Sequence, residues 1–257
     1  MPIDAHNHLQ EMTHSVDLEA LLCVCEEAGV TLMAVNGTSE EDWPCVLELA
    51  ERRPWIQAAL GLHPWKLHSR SDTWKLQLKK WLEQSNAAVG EIGIDHWKLD
   101  KKDSEQEGIF LEQLDLAHEL KRPAVIHCIR AWGRLYELLK SYAPNVPLQL
   151  HAYSGSAEEI RRFEPLGCYF SFGFTVMHSA REKLRTALKA VPPERLLLET
   201  DAPAGALPGS ETTAEAIWGA QGNLGKLYSY AAELLNVPVS QLEARCSENA
   251  ARLFGRF

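Results

Sequence analysis

The sequence predicts an α/β fold, a (β/α)₈ TIM barrel, on three observations. Eight short apolar runs alternate with longer amphipathic stretches along 257 residues. That length suits one barrel domain of about 250 residues, so a single unit over 1–257 is expected. Imidazoles and carboxylates fall at or near the carboxyl ends of several runs, the functional end of such a barrel.

The runs are 2–8 (PIDAHNH), 30–36 (VTLMAVN), 56–63 (IQAALGLH), 88–95 (AVGEIGID), 123–128 (PAVIHC), 147–153 (PLQLHAY), 168–173 (CYFSFG) and 195–201 (RLLLETD). Several are nearly continuous in apolar residues, as parallel strands covered on both faces are. Helical periodicity fills the gaps, as in 17–28, 104–120 and 179–190, with Gly29, Gly167 and Pro123 at helix boundaries. About 55 residues after the eighth run predict a loop and two or three further helices. An open doubly wound sheet is the competing arrangement, but no glycine-rich dinucleotide loop follows the first run.

Composition narrows the function. A hydrophobic fraction of 46% supports a large core. No apolar run reaches the roughly 18 residues of a membrane span, and the opening MPIDAHNHLQ lacks the pattern of a secretion signal. Six scattered cysteines without CxxC pairs predict buried thiols in a reducing cytoplasm rather than a zinc–thiolate site. A net charge of −9 argues against a broad basic surface gripping duplex nucleic acid. It leaves room for a phosphate substrate, because bound cations supply local positive charge.

The chemistry lies in where the metal-type residues fall. Asp4, His6 and His8 alternate along the first run, and a period of two puts them on one face. Glu91 sits in the fourth run, His127 and His151 end the fifth and sixth, and Asp201 ends the eighth. A single histidine at a strand end is more often a hydrogen-bonded structural group. Glu91 and Asp201, however, are charges within apolar runs, which are seldom buried without partners. Six nitrogen and oxygen donors at one end of a barrel point to metal, and to ions such as zinc, manganese or iron. They exceed the set of one catalytic zinc and match two ions sharing a carboxylate. Glu91 is the expected bridge, with His6, His8 and Asp201 on one ion and His127 and His151 on the other. Paired ions clamp the attacking and leaving oxygens of a displacement, and Asp201 is placed to orient water and take its proton.

Further motifs extend the pattern: DAHNHL at the start, GLHP at 61–64, GEIGID at 90–95, Gln106 with Phe110, PAVIHC at 123–128, HAYSGS at 151–156, LLLETDAP at 196–203 and NAARLFG at 249–255. In order and spacing the sequence resembles the TatD family of metal-dependent deoxyribonucleases, within the amidohydrolase superfamily. The resemblance implies a binuclear site on the same ligands, served by two divalent ions (Mg²⁺, Mn²⁺ or Zn²⁺). It also implies hydrolysis of phosphodiester bonds, often by trimming single-stranded DNA from the 3′ end, so DNA or a small phosphodiester is the expected partner. Three departures touch substrate contacts. Arg130 stands three residues after His127 where relatives carry an Arg at the second, the segment 221–226 keeps Asn223 without a proline, and the loop 203–211 is unlike the common form.

Other residues near the strand ends carry two readings each. His63 is a substrate-phosphate contact or an orienter of a ligand carboxylate. Arg130 binds phosphate or faces solvent. Ser154 and Gly155 offer backbone donors to an anion or form a capped turn. Trp65, Trp97, Trp132 and Trp218 form an aromatic rim that stacks a base, or pack within loops. His14, His68, His96, His118 and His178 read as surface or core residues. A hydrolase of an amide, lactone or aminoacyl ester on the same metals is the alternative enzyme, because fold and ligands do not fix substrate. A binding protein that has lost catalysis conflicts with the complete donor set. The chain is expected to be a monomer.

Overall fold

The computed structural model describes residues 1–13, 17–98, 104–204, 213–220 and 222–255. Eight parallel strands follow one another in chain order around one sheet: β1 (Ile3–Asn7), β2 (Leu32–Asn36), β3 (Ile56–Leu60), β4 (Ala88–Asp95), β5 (Ala124–Ile129), β6 (Leu148–Leu150), β7 (Cys168–Phe172) and β8 (Leu196–Leu198). Seven of them are buried at every residue, and β5 at every residue but its last, as parallel strands sheathed by helices must be. The seam between β8 and β1 closes just past the β8 ladder. There Asp201 N–H donates to His6 O at 2.9 Å and His8 N–H to Ala202 O at 2.7 Å. The seam is thus pinned by backbone bonds of His6 and His8.

Helices follow the strands where capping residues start them. Asp17 accepts from the backbone of Glu19 and Ala20 to open α1 (Leu18–Glu27). Trp43 and Pro44 open α2 (Trp43–Arg52), and α3 (Trp74–Glu83) and α4 (Ser104–Leu120) cover β3 and β4. Next come α5 (Trp132–Tyr142), α6 (Ala157–Phe163) and α7 (Glu182–Ala190). Three helices follow β8 among the described residues: α8 (Ala214–Trp218), α9 (Asn223–Leu235) and α10 (Val239–Phe254).

Several elements are shorter than the sequence pattern implies, β3 and β6 among them. The helix expected from 179 starts at Glu182, because His178 accepts from Ala180 N–H and Arg181 N–H to make a turn. The eighth strand stops at Leu198; Glu199 N–H still donates to Phe172 O at 3.2 Å, and Asp201 beyond it reaches the histidine cluster. Asp4 also departs from expectation. The β1–β2 register shifts between Asp4 and Asn7, and Asp4 takes its own partners. Its carboxylate accepts from Thr200 N–H, Thr200 Oγ1–H and Trp218 Nε1–H at 2.7–2.8 Å, apart from the histidine cluster. His14, position 221 and 205–211 of the unusual loop lie outside the described residues.

Candidate metal centre

Glu91 is the hub. It lies inside β4, 2% exposed, with a different set of donors at each oxygen. Oε2 faces His8 Nε2 at 3.2 Å and His6 Nε2 at 3.4 Å. The two imidazoles are 3.3 Å apart, and Asp201 Oδ1 lies 3.8 Å from His6 and 3.6 Å from His8. Oε1 faces His151 Nε2 at 2.7 Å and His127 Nδ1 at 2.8 Å, themselves 3.4 Å apart. Donors about 2.1 Å from a common cation in tetrahedral array sit roughly 3.4 Å from one another. The spacings around Oε2 match that value, and those around Oε1 approach it.

Local structure fixes each ring. Gly93 has φ +150, and a Cβ there would fall 2.0 Å from His127 O, so only glycine lets β4 lie this close to the His127 backbone. His8 Nδ1 sits 2.8 Å from Asn36 O; a carbonyl only accepts, so Nδ1 carries the hydrogen and Nε2 is left to face Glu91. His127 Nε2–H donates to Asp95 Oδ2 at 3.2 Å, which turns Nδ1 inward. His151 Nδ1 lies 3.5 Å from Glu199 Oε1, while Glu199 accepts from Ala152 N–H at 2.6 Å. His6 stacks on His151 with centroids 3.8 Å apart. Behind both imidazoles on the Oε1 side stands a buried carboxylate, the arrangement that orients metal-binding histidines.

His63 lies beside Glu91. Its Nδ1 accepts from Trp65 N–H at 3.1 Å, so Nε2 carries the hydrogen and donates to Glu91 Oε1 at 3.2 Å. It sits against the central carboxylate, 5% exposed, and also lines the cavity above the cluster.

The electrostatics follow from burial against pairing. Burial opposes ionisation of Glu91, but His151, His63 and His127 around it hold its pKa well below the usual range. Burial lowers His8, yet Glu91 and Asp201 outweigh it and raise the pKa to about 9. Burial, together with the neighbouring His151, lowers His6 to about 4. Burial lowers His63 likewise to about 4. Asp201, whose side chain is 30% exposed, is pushed up to about 6 by desolvation, with His151 and His8 resisting the rise.

A cavity of about 670 Å³ opens over this cluster. Trp65, 39% exposed, and Trp97, 55% exposed, stand on its wall with Arg130 and Ser154. Lys66, Arg130 and Arg181 line it too, and none of them pairs with a carboxylate among the described residues. Two of the four expected rim tryptophans are buried, although Trp132 still lines the cavity. Trp132 is 8% exposed and packs on Tyr153, and Trp218 is 1% exposed with its N–H spent on Asp4. The anion site imagined at the start of α6 is a capped turn: Ser156 and Glu159 form a reciprocal capping box over its first backbone donors. His68, His118 and His178 are exposed, as expected, and His96 is partly buried. Asp95 and Glu199 were not singled out in the sequence, although both stand in apolar runs and carry the same signal as Glu91.

The family model for TatD related DNase matches residues 3–255. The chain belongs to the TatD family. Among TatD-family relatives, the metal-dependent hydrolase YjjV of Escherichia coli K12 is 37% identical over 204 residues, 78% of this chain and 79% of that one. The 3'-5' ssDNA/RNA exonuclease TatD of Cronobacter sakazakii is 31% identical over 247 residues, 93% and 92% of the two chains. The crystal structure of YjjV superposes with a TM-score of 0.88 at 32% identity, covering 99% of this chain and 98% of that one. A TatD family hydrolase from Entamoeba histolytica shares the fold at 19% identity, with a TM-score of 0.78 over 98% and 97%.

Proposed function

We propose that this TatD-family chain is a metal-dependent hydrolase of phosphodiester bonds that trims single-stranded nucleic acid from the 3′ end. One observation carries the reading. The two oxygens of buried Glu91 face two separate sets of nitrogen and oxygen donors at the floor of a cavity with unpaired cations on its wall. The exonuclease relative supports the bond and the substrate class.

His6, His8 and Asp201 would hold one ion, His127 and His151 the other, with Glu91 between them. Divalent ions there supply Lewis acidity at the phosphoryl group and a nucleophile at neutral pH. Zinc, manganese and magnesium all suit such donors, with histidine favouring the first two. Asp201 is the base: Oδ1 borders both the first donor set and the cavity, so it can take the proton of attacking water. Trp97 offers a face on which a base can stack, and Arg130 offers its fork to a neighbouring phosphate. Ser154, exposed at the cavity wall, adds a hydroxyl donor.

All donors come from one chain, which supports a monomer as the working unit. No helix among the described residues is long and apolar enough to cross a membrane. Six unpaired cysteines support a cytoplasmic setting.

The test is hydrolysis by protein stripped of metal and reloaded with Mg²⁺, Mn²⁺ or Zn²⁺. The substrates are 3′- and 5′-labelled single strands beside a panel of amides, lactones and aminoacyl esters. Metal-dependent loss of the 3′ label, abolished in Asp201→Asn, is the expected result. Turnover confined to the panel would refute the nuclease reading.

A further inference from the structure

One buried carboxylate stands between the candidate metal centre and the wall that substrate meets. Asp95 ends β4 with no exposed surface. Its Oδ2 accepts from Trp65 Nε1–H at 2.8 Å and from His127 Nε2–H at 3.2 Å. Its Oδ1 accepts from the backbone N–H of Trp97 at 2.6 Å and of Lys98 at 2.7 Å. From behind, Asp95 N–H donates to Gln106 Oε1 at 2.8 Å, so α4 fixes the residue that carries the carboxylate. Burial works against its ionisation, but hydrogen bonds from His127, Lys98, Trp65 and Trp97 hold its pKa below the ordinary range.

The two exposed tryptophans are therefore not equivalent. Lys98 Nζ lies 3.3 Å from the centroid of the Trp65 ring and covers one of its faces. The same ring meets His63 and His127 edge-on, with centroids at 4.9 and 5.7 Å. Trp97 is more open and is approached by the Arg130 guanidinium, 5.8 Å from its ring. Trp97, with Lys98 Nζ and the Arg130 guanidinium farther off at 5.7 and 5.8 Å, presents the more exposed ring, whereas Trp65 is bonded at its edge and capped.

We propose that Asp95 is a positioning residue that couples the metal centre to the substrate wall. It holds His127 and Trp65 on one oxygen and the Trp97–Lys98 backbone on the other. A carboxylate serving four donors cannot turn toward one without loosening the rest. His127 keeps Nδ1 aimed at Glu91 only while Asp95 holds Nε2–H, and the same anchor sets Trp97 for stacking. Trp65 is the link between them and not the stacking surface. The proposal rests on the reading of the cluster as a metal centre, and its metal-affinity and emission tests do not require that DNA be the substrate.

The experiment titrates the stripped full-length protein with Zn²⁺, following bound metal by competition with a chelator and tryptophan emission in parallel. Wild type should change emission as metal binds, because the Trp65 indole packs against His127. Trp65→Phe should lose most of that change and Trp97→Phe should keep it. Asp95→Asn should weaken at least one metal-binding step by about 10–100-fold and raise KM for a single-stranded oligonucleotide. Trp97→Phe should raise that KM with metal affinity unchanged. Metal affinity in Asp95→Asn equal to wild type would overturn the coupling. So would a metal-dependent emission change that survives in Trp65→Phe, a conservative variant that tests the idea even where Asp95→Asn fails to fold. Absence of DNA cleavage by every variant, with metal and emission behaving as described, would sink only the nuclease reading.

Discussion

Metal loading of the stripped protein should release protons, and His8 sets the minimum. Its pKa is raised to about 9 once Glu91 and Asp201 outweigh burial. A cation needs the neutral imidazole, so at pH 7 the proton on His8 must leave first. Two pH units below its pKa only about 1% of His8 is neutral, a penalty of about 2.7 kcal/mol on binding. Apparent affinity should therefore rise by at least about tenfold per pH unit from 7 to 9. His127 and His151 are also raised, because burial is outweighed by Asp95 and Glu91 for the first and by Glu91 and Glu199 for the second. They steepen the dependence. His6, lowered to about 4 by burial and its neighbours, adds no proton. The assay is isothermal titration calorimetry at pH 7 in two buffers of different ionisation enthalpy, which counts protons released per chain. His8→Asn should reduce that count by one. A flat affinity from pH 7 to 9, or no proton release, would refute the charge assignment of the whole cluster.

The same shift works on the stability of the stripped protein. A histidine raised above its unfolded value contributes stability that is present below about pH 6.5 and is lost as pH rises through about 9. The thermal midpoint of the stripped form should accordingly fall across that window, by up to about 3 kcal/mol in stability, and metal reloading should remove the dependence. Glu91→Gln keeps the volume but offers a single acceptor oxygen, so elemental analysis should find fewer bound ions than in wild type, with both donor sets affected. Trp218→Phe removes the N–H that reaches Asp4 at 2.8 Å. It should cost about 1–3 kcal/mol, seen as a lower melting temperature, and leave KM unchanged because Trp218 lies off the cavity.

Period and spacing made the frame legible. Alternation in the first run brought His6 and His8 together, and a charge inside AVGEIGID marked Glu91 as a partnered carboxylate. The same rule applied to GEIGID and LLLETD marks Asp95 and Glu199, whose partners come from other strands and loops. Those partners are tertiary facts that no local pattern encodes. Asp4 shares the parity of His6, but a register shift in β1 gives it to Thr200 and Trp218 instead. Trp218 looked like a rim residue because it follows the last strand. It is buried because α8 packs against α1, a contact between segments nearly two hundred residues apart. Which His63 nitrogen faces Glu91 is set by the Trp65 backbone N–H in the turn after β3, a contact no local pattern shows.

Backbone strain gives an independent view of where function lies. Among the described residues, six non-glycine residues have positive φ. Lys121, Ala143 and Asn236 end α4, α5 and α9, where a left-handed residue satisfies the last carbonyls. The other three, Arg130, Ala152 and Asp201, have φ of 56, 42 and 52 and follow β5, β6 and β8 at the mouth of the cavity. Left-handed backbone costs roughly 1–2 kcal/mol for a residue with a Cβ. Aspartate tolerates it best of the three. At Ala152 the conformation brings its N–H to Glu199 Oε1 at 2.6 Å, the carboxylate behind His151. Ala152→Gly should therefore relieve strain and stabilise the protein by about 1 kcal/mol, raising the melting temperature by about 2–4 °C for a chain of this size. The freer peptide should also hold Glu199 less firmly, so kcat should fall while stability rises. A lower melting temperature would mean that the methyl group packs usefully and that the strain lies elsewhere. A rise in stability with full activity would mean that the Glu199 contact needs no conformational restraint to orient His151.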